Sequence, residues 1–221
     1  MTDIKIPIYL EIGAKRTFAC SLDWPGWCRS GKTEEAAIEA LIGIASRYAE
    51  VSRIAHKRFP KVEPERFEVV ERIKGNATTD FGAPGRVAKA DYQDLDKPGA
   101  DRLRALLQAS WDVLDRAVAE ASPTLRKGPR GGGRDRDDVF RHVLGAETVY
   151  ARKTGLKMPE PDIGDRKALR ALRKAILGSI RPTSDGVPVP VKGWPIPYAV
   201  RRYAWHALDH AWEIQDKSLK T

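Results

Sequence analysis

The sequence predicts an α+β protein: a small N-terminal antiparallel β-sheet with one helix, followed by an all-α four-helix bundle. Three observations predict it. Apolar residues alternate over 4–12 and 16–24, the period of a half-buried strand. From residue 100 onward they recur instead every three or four residues, in four long segments. Between the two regimes lies GNATTDFGAPGRVAKADYQDLDK (75–97), rich in Gly and small polar residues. The domain boundary is placed there, giving domains 1–95 and 96–221.

The elements follow in order. IKIPIYLEI (4–12) and RTFACSLDW (16–24) read as paired strands joined through Gly13 to Lys15, with Phe18, Cys20 and Leu22 on one face. Pro25-Gly26 is a turn, Trp27 to Arg29 a short third strand, and Ser30-Gly31 its end. Thr33 is placed to cap a helix, with Glu34 and Glu35 in the first turn, where the helix dipole favours acids. Helical spacing then runs over 34–55, and Pro60 and Pro64 end it. FEVVERI (67–73) is the fourth strand.

The layout strand, strand, LDWPGWCRSGKTEEAAIEAL resembles the HicB-like antitoxin fold, through Pro25, Gly26, Gly31, Thr33, Glu35 and Ala36. The resemblance implies the fold of the first segment. It also implies a rival functional reading, in which this segment binds a protein or RNA partner and the bundle is a scaffold. Nothing after residue 60 reads as a helix-turn-helix.

In the second half, helices are expected over 100–121, 136–155, 165–181 and 198–218. Pro98 sits at the start of the first, Gly155 ends the second and Pro182 stops the third. Four such helices make a four-helix bundle.

Charge is uneven. Residues 1–95 carry 15 Lys/Arg and 14 Asp/Glu, whereas 96–221 carry 24 and 16. A basic second half suits an anionic small molecule or a solvated surface. Nucleic acid is not expected, because no aromatic-plus-basic recognition motif accompanies the charge. No apolar run is long enough for a membrane span, and the N-terminus lacks the pattern of a secretory signal. Two cysteines, Cys20 and Cys28, do not make a disulfide framework. A cytoplasmic location is therefore expected.

Two of the four histidines, His206 and His210, stand one helical turn apart in WHALDHAWEI. They lie along one edge of the apolar stripe formed by Val200, Tyr203, Ala204, Ala207, Ala211 and Ile214. They can share a cation, and an inward pair can equally be served by a carboxylate or a carbonyl. Residue 207 is Ala, so the zinc-protease motif fails. His142, beside Val139, Val143 and Ala146 in the second helix, is the natural third ligand. His56, next to Lys57 and Arg58, is read as an exposed helix-end residue. Glu213 lies close to the pair as an orienting partner, and Tyr150, two turns beyond His142, can donate a hydrogen bond inside the bundle. Glu147 points about 140° away from His142. Trp205 and Trp212 share the face opposite the histidines, to pack on the N-terminal segment, the loops or a second subunit; exposed there, they would favour a homodimer.

DVFRHVLGAE (138–147) and RRYAWHALDHAWEI (201–214), one His in the second helix and HxxxH in the fourth, resemble the DinB/YfiT-like metalloenzyme family over residues 96–221. The resemblance implies that His142, His206 and His210 bind a divalent metal, zinc or nickel. It also implies a thiol-dependent S-transferase or isomerase using a low-molecular-weight thiol. Three imidazoles leave a coordination position open, as catalytic sites do. Such an ion can activate a thiol for transfer to a small electrophile, or water for hydrolysis. The loop PTLRKGPRGGGRDRDD leads into the His142 helix and offers Arg126, Lys127, Arg130, Arg134 and Arg136 as a candidate anion-binding loop. Its plainer reading is a charged connection between helices.

Overall fold

The computed structural model describes residues 5–129, 132–183, 188 and 192–219. Strands β1 (Ile6–Ile12) and β2 (Thr17–Ser21) form the expected antiparallel hairpin, closed where the Gly13 amide donates to the Arg16 carbonyl at 2.9 Å. Strand β3 (Cys28–Gly31) pairs antiparallel with β2 and sets Cys20 opposite Cys28, both free thiols. Strand β4 (Phe67–Lys74) completes the order β3-β2-β1-β4, but it runs parallel to β1. The sheet is therefore mixed rather than wholly antiparallel. The reason is the connection: β4 follows a helical crossover instead of a tight turn, and a crossover can start the next strand in the same direction.

That crossover is two helices, not the single one expected over 34–55. Helix α1 (Glu34–Gly43) begins at Thr33, whose side chain accepts from the Ala36 amide. It stops at Gly43, a poor helix former, and Ile44 leaves the helical region before α2 (Ala45–Ile54) begins. Helix α2 buries Tyr48 and Val51. The Tyr48 ring stacks 5.8 Å from Trp27, and its hydroxyl donates to the Pro25 carbonyl at 2.7 Å. The turn between β2 and β3 is thus pinned from behind.

The Gly-rich segment holds more order than its composition predicts. Asn76 caps a short helix, α3 (Ala77–Phe81). Glu11, fully buried near the end of β1, accepts from the Thr79 hydroxyl and from the Gly85 and Arg86 amides at 2.8 and 3.0 Å. A carboxylate in the sheet interior satisfies these loop amides, and so fastens the loop to the sheet.

The remaining helices are α4 (Lys97–Glu120), α5 (Arg136–Lys153), α6 (Arg166–Ser179) and α7 (Ile196–Lys217), and they pack together. Asp96 and Asp165 cap α4 and α6 through amides of their first turns. Asp135, ahead of α5, accepts instead from the Leu125 amide and the Lys127 ammonium. Among the described residues, no helix is long and apolar enough to cross a membrane.

Helix α7 is buried on both sides. Tyr203, Ala204, Ala207, Ala211 and Ile214 belong to the same core cluster as residues of α4 and α5. Its other side meets the sheet. Trp205 stands edge-on to Phe18 at 6.2 Å, and Trp212 lies 4.6 Å beneath the Arg29 guanidinium. Trp111 is also buried, against Tyr203. The aromatic face considered for a homodimer is thus covered by the chain's own sheet. Gly26, at φ +90°, packs so tightly against α7 that a Cβ there would come within 2.6 Å of Leu208.

One buried ion pair ties the first half of the chain to α7. Asp91, with no exposed surface, accepts from Arg201 at 2.5 Å and from the Ala88 amide at 2.8 Å. Burial alone would lower the Arg201 pKa, but Asp91 outweighs it and the guanidinium stays charged. Arg201→Met would leave a carboxylate buried and uncompensated. It is expected to cost about 3–5 kcal/mol of stability in urea unfolding, and adding Asp91→Leu should recover most of that loss. A cost for Arg201→Met within experimental error would show that the pair holds nothing together.

Candidate metal centre

His142 comes from α5, and His206 and His210 come from α7. The helical spacing places the α7 pair on one side, and the packing of α5 against α7 brings the third ring to them. One donor atom from each ring lies within 4.8 Å of the other two. The His206 and His142 Nε2 atoms are 3.2 Å apart. Ring centroids are separated by 5.0 Å for His142–His206, 5.0 Å for His142–His210 and 4.6 Å for His206–His210. Tetrahedral ligands about 2.0 Å from zinc stand about 3.3 Å from each other. The His142–His206 separation already fits that edge. The widest pair needs to close by at most about 1.5 Å, which small ring rotations supply.

The protonation states also suit a cation. His206 is 7% exposed, and desolvation, followed by its charged neighbours His210, His142, Arg202 and Arg134, holds its pKa well below the ordinary imidazole value. His142 is lowered by partial burial and then by Arg134 and His210. Neutral imidazole is the ligand form, so His142 and His206 are disposed to present lone pairs rather than protons. The Glu213 carboxylate accepts from His210 Nδ1 at 2.7 Å, which leaves Nε2 free for the centre. Hydrogen bonds from His210 and Lys217 hold the Glu213 carboxyl down at about 2, so this anchor is ionised at any ordinary pH. The three rings and the donor set they present therefore fit a divalent ion.

Around the rings, the expected residues divide. Glu213 stands beside His210 as the sequence suggested. The Tyr150 ring lies 5.8 Å from His206, but its hydroxyl accepts from Arg202 at 3.0 Å rather than donating into the bundle. The loop arginines do not converge. Arg126 donates to the Asp216 carbonyl, while Arg136 donates to Asp137 and the Ala121 carbonyl. Arg134 is the one whose charge is felt by His142 and His206. Arg130 lies outside the described residues. His56 is exposed at the end of α2, away from the centre. Glu147 turns away from His142, as its spacing requires, into a buried pair with Arg173.

One residue near the centre escaped the sequence reading as a site residue. Arg202 is 7% exposed, stacks 4.9 Å from Trp205 and 5.2 Å from Tyr150, and leaves Nη1 without a partner. Its place at the margin of the histidine edge was the available signal. His142 is the exposed member of the triad, so it marks the side open to solvent.

Zinc added to the purified protein is expected to remain, after dialysis, at close to one ion per chain. His142→Ala and His206→Ala should each abolish retention, and Glu213→Gln should weaken zinc binding about 10- to 100-fold by freeing the His210 ring. Stoichiometric zinc retained by both alanine variants would dismiss the centre. No family model matches the chain, and no curated protein or solved structure does.

Proposed function

We propose that the protein is a divalent-metal-dependent enzyme that transfers a low-molecular-weight thiol to a small electrophile, with hydrolysis as the variant reaction. The convergence of His142, His206 and His210 is the observation that carries this reading. Zinc or nickel, when bound, supplies Lewis acidity that lowers the pKa of a thiol or a water toward neutrality.

The chain's own residues account for the rest. Imidazole ligands add no negative charge, so a divalent ion held by the three would keep the centre cationic and favour an anionic sulfur over a neutral one. Glu213 fixes the orientation of His210. The Arg134 charge near the exposed His142, and Arg202 with its unpartnered Nη1, favour a thiol that carries carboxylates. The aromatic flank formed by buried Tyr203 and half-buried Tyr150 and Trp194 limits water on the inner side, which favours transfer over hydrolysis. The sulfur attacks the electrophilic carbon, an S–C bond forms, the leaving group departs with its electron pair, and the thiol proton passes to solvent.

Zinc- or nickel-loaded protein with glutathione and chlorodinitrobenzene is expected to consume thiol and release chloride in equal amounts. His206→Ala should reduce the rate at least 100-fold, and Arg202→Met should raise KM for the carboxylated thiol more than for mercaptoethanol. Ester cleavage without thiol consumption would select the hydrolytic variant. No metal-dependent rate with any low-molecular-weight thiol or ester would overturn the proposal.

A further inference from the structure

A second concave site lies between α4, α5 and α6. The cleft has a volume of about 860 Å³, within the roughly 300–1,000 Å³ typical of small-molecule sites. It is separate from the histidine centre: Phe140 lines it, and Phe140 and His142 are about 200° apart around α5.

Most of its lining sorts into two chemistries, and the two carboxylates that also line it, Asp115 and Asp137, are paired with Arg173 and Arg136. Val118, Phe140, Ile163, Leu169 and Leu177 make an apolar wall. Arg166, Arg170 and Lys174 follow at four-residue intervals along α6 and make a cationic row beside it. All three are exposed, and none has an acidic partner among the described residues. Like charges at this spacing repel one another, and the nearby Asp115 and Asp137 carboxylates are engaged by Arg173 and Arg136 rather than by the row.

Arg173 lies between the wall and the row. It is 6% exposed, its Nη1 donates to both Asp115 oxygens at 2.9 and 2.8 Å, and its Nε faces Glu147 at 3.4 Å. Its Nη2 has no acceptor. The guanidinium is held 5.0 Å over Trp111, so it is a fixed donor, not a mobile surface charge. A buried donor without an acceptor is costly, and a ligand oxygen would satisfy it.

We propose that this cleft binds an amphipathic organic anion: a carboxylate or phosphate head on Arg170, Lys174 and Arg173, with an apolar chain along Phe140, Leu169 and Leu177. The row alone would suit any anion, and the wall alone any apolar body. Their adjacency on one helix selects a molecule with both.

Calorimetric titration of the full-length, zinc-loaded protein tests it, with each probe below its critical micelle concentration. Laurate and dodecyl phosphate are expected to bind with one-to-one stoichiometry, at least tenfold tighter than dodecanol, dodecyltrimethylammonium or inorganic phosphate. A preference between the two anions identifies the head group. Arg170→Glu with Lys174→Glu, both exposed and so compatible with folding, should weaken laurate at least tenfold, with circular dichroism unchanged. His206→Ala should leave laurate binding as it is. Equal affinity for the anionic, neutral and cationic chains, inorganic phosphate binding as tightly as dodecyl phosphate, or laurate binding untouched by the double charge reversal would each overturn the proposal.

Discussion

Helix α7 buries fifteen of its 22 residues, among them Arg201, Arg202, His206 and His210. A helix with almost no solvent face needs a partner on every side, and much of the architecture supplies one. Its alanines admit α4 and α5 closely on one flank. Phe18, Arg29 and the Gly26 turn close on the other, where Leu208 leaves no room for a side chain at residue 26. Arg201 is met by Asp91 and His210 by Glu213, while Arg202 donates to the Tyr150 hydroxyl. Such groups cost free energy unless paired, so they determine where the neighbouring elements can sit.

The histidine centre inherits its geometry from that packing. Two imidazoles on one rigid helix have a fixed separation, so only the placement of α5 is left to bring His142 into range. Burial does the electrostatic preparation as well. It holds His206 neutral, while the lone exposed ring, His142, faces the solvent through which an ion or substrate must come. A surface triad would gain access but lose the low-dielectric surroundings that keep imidazoles unprotonated and orienting hydrogen bonds strong.

These relations differ in how visible they are in the chain. His206 and His210 were legible because a four-residue interval is a spatial statement within one helix. The four late helices were legible for the same reason, since their apolar period is local. The parallel placement of β4 was not, because direction is decided by the crossover rather than by the strand's own residues. The break at Gly43-Ile44 and the clamp of Glu11 on residues 79–86 were also hidden: a single glycine inside a strong helical pattern is often tolerated, and an acid in an alternating strand reads as its solvent face. The tryptophans of α7 meet the sheet, although the Trp205 ring also lies 6.0 Å from His206, and what covers them depends on contacts nearly 200 residues away in sequence.

Helix α5 shows the same separation of roles on a smaller scale. One side offers His142 to the two rings of α7. The other buries Glu147, whose carboxyl is pushed up by desolvation and drawn down by Arg173. Had this acid stood one residue earlier, four residues after His142, it would have shared the His142 face and competed for the same ion or proton. Instead the negative charge is spent on Arg173, which in turn holds Asp115 from α4. A cationic donor is thereby fixed in the wall of the cleft, and a chain with an excess of basic residues in its second half keeps its two concave sites electrostatically distinct. One is built from imidazoles around a place for a cation, and the other from a cationic row, beside two carboxylates already paired with arginines, around a place for an anion.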